Sequence, residues 1–157
     1  MQPVAVEVAQ VTPDDLVDLL PLMRAYCTFY DSAPADDDLR AMATAFLDAG
    51  AGGTQLIARG PEGVALGHAT VLWSWDTTLG RPLAVMEDLF VTEAARGGGV
   101  GARLIEACRR LAAGRGIEWL AWETAPDNVR AQRLYDGFGA RRDTWLAYRL
   151  PTSDPAT

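Results

Sequence analysis

Residues 86–102 read Met86-Glu-Asp-Leu-Phe-Val-Thr-Glu-Ala-Ala-Arg-Gly-Gly-Gly-Val-Gly-Ala102. An apolar strand runs into a bend, an arginine, four glycines within five positions and the first turn of a helix. Glycines there let the backbone turn sharply and approach a ligand closely. The unpaired N–H groups and positive end of the helix that follows form an anion site, most often for phosphate. Arg96 adds a planar, permanently charged fork beside it. The stretch reads as a binding site for something phosphorylated.

Downstream, Val100, Leu104, Ile105, Cys108 and Leu111 recur at helical spacing, which predicts a helix over 99–113 stopped by Gly114-Arg-Gly116. A strand is expected over 117–124, a helix over 129–136 closed by Gly137-Phe-Gly139, and a last strand over 144–150. Upstream, the alternation in 4–8 predicts a half-buried first strand. Thr12-Pro-Asp-Asp marks a helix start, and Pro21 within the following helical pattern predicts a kinked or split first helix. A second helix follows Asp36-Asp-Asp38. Strands over 54–59 and 65–75 make a hairpin, and 82–91 is continuous enough to be a central strand. Trp73 and Trp75, two apart, share one face; they line a pocket or fill the core. The order strand, two helices, meander, then strand–helix–strand–helix–strand predicts an α/β (α+β) fold: one domain over 1–150 and a tail over 151–157.

Composition narrows function further. The 157 residues are 49% hydrophobic and 22% charged, ordinary for a globular domain. No apolar run approaches the roughly 18 residues of a membrane span, and the N-terminus lacks the basic start and apolar stretch of a signal peptide, so no membrane and a cytoplasmic location are expected. Cys27 and Cys108 read as buried thiols. A net charge of −7 argues against nucleic-acid binding. The chain has no lysine, all fourteen basic residues being arginine, which removes phosphate loops that end in Gly-Lys, the kinase strand lysine and lysine Schiff bases. Its one histidine, His68, excludes a histidine-rich zinc site, so no metal is expected. His68 itself lies within a strand and reads as packed rather than ligating. The carboxylates Asp31, Asp36, Asp37 and Asp38 either attract a cationic substrate or cap helices in a solvated turn.

Three readings of the glycine turn compete. Gly97-Gly-Gly-Val-Gly-Ala102 formally matches a dinucleotide fingerprint, but it begins two-thirds along the chain, with only two strands left to complete a doubly wound sheet. An ordinary glycine-rich connection must explain four glycines and an arginine at one helix start, each costing chain entropy on folding. The third reading comes from similarity. Arg96-Gly-Gly-Gly-Val-Gly101 resembles the R/Q-x-x-G-x-G/A segment of GNAT-type N-acetyltransferases. Met86–Val91 resembles the strand entering that loop, and Asn128-Val-Arg-Ala-Gln-Arg-Leu-Tyr-Asp-Gly-Phe-Gly139 resembles the family's N-x-x-A-x-x-L-Y helix. Within the superfamily the chain is most similar to spermidine/spermine (diamine) acetyltransferases and their bacterial relatives, although its first third aligns poorly.

The resemblance implies an acetyl-CoA-dependent N-acetyltransferase acting on a primary amine of a small molecule. A non-catalytic acyl-CoA-binding sensor and a protein or peptide N-acetyltransferase remain alternatives. It further implies that Tyr135 protonates the leaving thiolate and that Glu87 is the base, with Asp88 orienting the substrate. The backbone of Leu89, Phe90 and Val91 would pair with the pantetheine arm. The N–H groups of Gly97, Gly98, Gly99, Val100 and Gly101 would hold the pyrophosphate beside Arg96, and Asn128 would contact pantetheine. Trp73 and Asp31 are further substrate-side candidates, and a homodimer is compatible with the family. Successive strand residues face opposite ways, so Glu87 and Asp88 cannot both enter one cleft from a regular strand unless a bulge intervenes.

Overall fold

The structure, a computed structural model, describes residues 5–153. It divides into two compact units, Met1–Glu123 and Thr124–Thr157. The first carries a five-stranded sheet in the order β1 (Glu7–Gln10), β2 (Gly53–Arg59), β3 (Ala65–Asp76), β4 (Arg81–Val91), β5 (Leu120–Ala121). All neighbouring pairs are antiparallel except β4 with β5. Three helices, α1 (Leu16–Phe29), α2 (Asp36–Ala45) and α3 (Val100–Gly114), belong to this unit. The mixed, mostly antiparallel sheet is the architecture expected.

Register sorts the core into two layers. Ile57, His68 and Phe90 share one face of the sheet, because Ile57 pairs with His68 and His68 with Phe90. That face packs on Leu19, Leu20, Leu22 and Met23 of α1 and Leu39 and Ala43 of α2. On the other face, Leu104 of α3 approaches Gly67. A Cβ at Gly67 would collide with the Phe90 carbonyl, so this close approach requires glycine. Val100, Leu104, Ile105 and Cys108 are buried along one side of α3, each large apolar side chain contributing about 1.5–3 kcal/mol.

The β3–β4 ladder contains the irregularity that shapes the site. Thr70 pairs with Asp88 but Val71 with Met86, so Glu87 is an extra, unpaired residue in a β-bulge. The bulge bends β4 immediately beyond its partners for β5, Ala84 and Val85. That accounts for the first departure from expectation: the strand foreseen over 117–124 is cut to Leu120–Ala121, because β5 cannot follow a neighbour that turns away. From Met86 to Val91, β4 has no strand partner on that side among the described residues.

Other boundaries also shifted. The first strand is Glu7–Gln10 rather than 4–8, of which Val4 lies outside the described residues. Helix α1 is one continuous helix across Pro21, not split. The missing donor and ring of Pro21 affect only the Val17 carbonyl, on an exposed flank where water can serve it. In the second unit, α4 (Val129–Gly137) forms as expected, but the strand foreseen over 144–150 is absent. Trp145, Leu146, Tyr148 and Leu150 are 80–89% exposed there. This unit contains no strand among its described residues, and a lone strand has no ladder to hold it. No helix among the described residues is long and apolar enough to cross a membrane.

Candidate active site

The glycine turn is built to leave donors free. After a single 3-10 turn at Glu93–Ala95, Arg96 stays extended and folds its Nε back to donate to the Val91 carbonyl at 3.1 Å. That bond ties the guanidinium to the end of β4, and its terminal nitrogens make no hydrogen bond or ion pair among the described residues. Gly97 and Gly99 both have positive φ (82° and 83°), and space is open where a Cβ would stand at either. Gly99 is the N-cap of α3, so no side chain caps the helix, and its first turn carries no acid. The first-turn N–H groups and the positive helix end thus face an uncovered approach, which suits a pyrophosphate. Arg96, Gly97, Gly98, Gly99, Val100 and Gly101 all fall within this one feature.

At the bulge the two acids separate. Glu87 is exposed, and its carbonyl accepts from the Tyr26 hydroxyl at 3.5 Å. Asp88 is half-buried on the face that holds Thr70, His68 and Phe90. Tyr26, from α1, closes over these side chains, its ring 6.0 Å from His68 and 6.5 Å from Phe90, nearly perpendicular to both. Burial, then the charge and hydrogen bond of Asp88, hold the Tyr26 hydroxyl well above its usual range. Burial drives the His68 imidazole down to about 4, against the opposing pull of Asp88. Cys27 is raised by burial first and Asp88 second. Asp88 has no ion-pair partner among the described residues.

His68 is packed within its strand, as expected, and fully buried; its meeting with Tyr26 and Asp88 was not foreseen. Neither Tyr26 nor His68 carries a local signal. Residues 26, 68 and 88 meet only through sheet register and the seating of α1, and the period-3.6 pattern marks Tyr26 simply as one more helical position.

In the second unit, Asn128 is the N-cap of α4, and its Oδ1 accepts from the Ala131 N–H at 3.2 Å. The cap leaves only the amide NH₂ of Asn128 for a ligand. Tyr135 is half-buried on α4.

Two substrate-side candidates lie apart from the bulge. Asp31, exposed with φ 53°, follows the end of α1. Asp36, its companion in the acidic turn, is already paired with Arg24 at 2.7 Å. Trp73 lies near the far end of β3 under the Arg115 guanidinium, 4.2 Å from its ring centre, while Trp75 is exposed. Trp73 and Arg115 line a separate cavity of about 320 Å³ with Phe46 and Leu47. No group of three or more metal-capable side chains occurs among the described residues.

Comparison with known proteins bears on the whole arrangement. A model of the acetyltransferase (GNAT) family matches residues 17–140. The uncharacterized N-acetyltransferase YhfO of Bacillus subtilis (strain 168) is 29% identical over 144 residues, covering 90% of this chain and 93% of its own. Aminoglycoside N(6')-acetyltransferase type 1 of Serratia marcescens is 34% identical over 100 residues, covering 61% and 68%. Among solved structures, a probable acetyltransferase superposes with a TM-score of 0.83 at 25% identity over 95% of this chain and 99% of its own. The aminoglycoside N-acetyltransferase AAC(6')-Iy in complex with CoA gives 0.82 at 22%, over 96% and 97%, a likeness of fold.

Proposed function

The chain belongs to the acetyltransferase (GNAT) family and is an acetyl-CoA-dependent acyltransferase; from that premise we propose that it acetylates a primary amine of a small, multiply charged molecule. One observation carries the proposal: the bulge leaves Glu87 exposed and the next residue, Asp88, half-buried without an ion-pair partner among the described residues, on the strand that leads into the glycine turn. Bound acetyl-CoA supplies the acetyl group as an activated thioester.

This chain's own residues supply the rest. Gly97–Gly101 and Arg96 hold the pyrophosphate, and the partner-free stretch of β4 at Leu89–Val91 accepts the peptide-like arm by strand addition. Asn128 would reach the same arm through its amide NH₂. Asp88 receives the ammonium. An alkyl amine of pKa about 10.4 is almost entirely protonated at pH 7, a deficit of roughly 4 kcal/mol that a base must offset. Glu87, in open solvent at the bulge, takes that proton, directly or through water. Tyr135 returns a proton to the departing thiolate, a role that rests on the resemblance of its helix. A single acetyltransferase domain over 1–150, with a tail over 151–157, belongs to the same reading; the family match supports it by running across both units.

The acceptor is the finer part of the proposal. The motifs resemble diamine acetyltransferases, and relatives bear the name aminoglycoside N(6')-acetyltransferase. Both substrate classes are polycations, which suits a site presenting two carboxylates on a chain of net charge −7. A homodimer is proposed as well, because a second copy would cover the apolar side chains exposed over 145–150. Sedimentation at micromolar concentration tests it, and a monomer there would remove it.

Thiol release from acetyl-CoA over polyamines, aminoglycosides, amino acids and peptides tests the function. Turnover confined to small polyamines or aminoglycosides is the expected result. Turnover on peptides alone, or cofactor binding with no turnover on any member, would overturn it.

A further inference from the structure

His68 is the buried group that this chemistry leaves unused. It is 0% exposed, and neither ring nitrogen has a hydrogen-bond partner among the described residues. Leaving one buried polar group unsatisfied costs about 1–3 kcal/mol. A hydrocarbon of similar size would fill the site at lower cost, so packing alone does not account for an imidazole here. Its surroundings point to one neighbour. Phe90 lies directly opposite on β4, and Asp88 is the diagonal neighbour on the same face. Diagonal pairs stand about 7–8 Å apart at the backbone, a gap that aromatic side chains span.

The groups facing the imidazole are few. Asp88 and Phe90 come from β4 and Tyr26 from α1, with Thr70 and Gln55 as neutral neighbours on the same face. Cys27, Tyr30 and Glu87 are the other titratable groups nearby, and no arginine pairs with Asp88 among the described residues. Tyr26 and His68 therefore flank one half-buried carboxylate that has no ion-pair partner among the described residues. Burial keeps the imidazole neutral at physiological pH, so it presents one N–H donor and adds no competing charge. A protonated histidine would repel the ammonium; a neutral one can orient the carboxylate without doing so.

We propose that His68 is a positioning residue for the acceptor amine: its ring N–H, which has no hydrogen-bond partner among the described residues, is the donor that comes to the Asp88 carboxylate as the ammonium binds, and with the Tyr26 hydroxyl it turns that carboxylate toward the amine. The proposal rests on Asp88 as the amine-binding acid and adds the side chain that aims it. It also explains why a buried histidine sits across the sheet from a bulge.

Two arms test it, and the first needs no turnover. His68 is the only histidine, so the imidazole ¹⁵N resonances of the full-length labelled protein at pH 7.5 report on it alone. Asp88→Asn should shift them, and spermidine or neamine added without acetyl-CoA should shift them in the wild type. In the second arm, His68→Phe keeps the volume and removes the donor. It should raise KM for the amine about 10-fold or more, the worth of a hydrogen bond to a charged group, while KM for acetyl-CoA stays within about 2-fold of wild type; His68→Gln should restore much of the loss. Resonances indifferent to Asp88→Asn overturn the proposal whether or not any amine is a substrate. So does a His68→Phe enzyme whose two KM values move together or not at all. Should no amine be acetylated, the failure belongs to the proposed function, and the Asp88→Asn spectra still decide whether His68 and Asp88 are coupled.

Discussion

The two halves of the site are joined by one strand and built in opposite ways. At the C-terminal end of β4, the turn over Arg96–Gly101 is made of backbone: two glycines at positive φ, an uncapped helix and one arginine tied to the strand it follows. At the bulge, the proposed amine side is made of side chains from three elements: Tyr26 of α1, His68 of β3 and Asp88 of β4. The first depends on backbone conformation, which at Gly97 and Gly99 glycine alone adopts without strain. The second depends on a backbone bulge only to aim groups whose chemistry is replaceable atom by atom. Substitutions should therefore separate cleanly, cofactor defects from the turn and amine defects from the bulge.

The largest effect is expected at the turn. Gly99→Val forces a β-branched residue to φ 83° at the mouth of α3 and removes the backbone's open approach. Calorimetric titration should show CoA binding abolished in a folded protein; ordinary affinity would mean that the turn does not hold the cofactor. Next comes Tyr135→Phe, expected to lower kcat by about 10²–10⁴ with CoA affinity preserved. An unchanged kcat would assign protonation of the thiolate elsewhere and leave α4 a structural helix.

A smaller effect reads the bulge side through stability. The unfolded chain takes up a proton at histidine near pH 6.5, whereas buried His68 resists until about pH 4. Acidification through that window favours the unfolded state, by up to about 1.4 kcal/mol per pH unit. Denaturant unfolding of the wild type should show this loss, and His68→Phe should flatten it. Equal slopes would mean that His68 is solvated, and the contrast between a dry side-chain cluster and an open backbone turn would lose its basis. The smallest effect lies away from both halves. Arg115→Ala removes the cation over Trp73 and should cost about 0.5–1 kcal/mol of stability with no change in either KM. A change in amine KM would bring Trp73 back to the substrate side.

How much was legible in the sequence follows the same division. The turn could be read because glycine spacing, an arginine and a helix start are local signals, and the helices over 99–113 and 129–136 could be read for the same reason. The pairing of Glu87 with an open strand edge needed the bulge, which no residue in 86–91 announces. Tyr26 and His68 needed sheet register, which links residues far apart in the chain. The strands foreseen over 117–124 and 144–150 failed on the same principle. Apolar, β-branched or aromatic content marks what can be a strand, but a neighbour must accept it, and β4 bends away from one while the other has none in its own unit. Pro21 does not split α1, since an exposed flank tolerates the proline that a buried one would not.

On this proposal one strand, β4, serves two substrates at two separable places. Steady-state thiol release, with acetyl-CoA and the preferred amine varied against each other, tests it most directly in wild type and Asp88→Asn. Asp88→Asn is expected to raise KM for the amine about 10-fold or more and to leave KM for acetyl-CoA unchanged. An Asp88→Asn enzyme with wild-type amine KM, or with the acetyl-CoA KM raised in step, would contradict it.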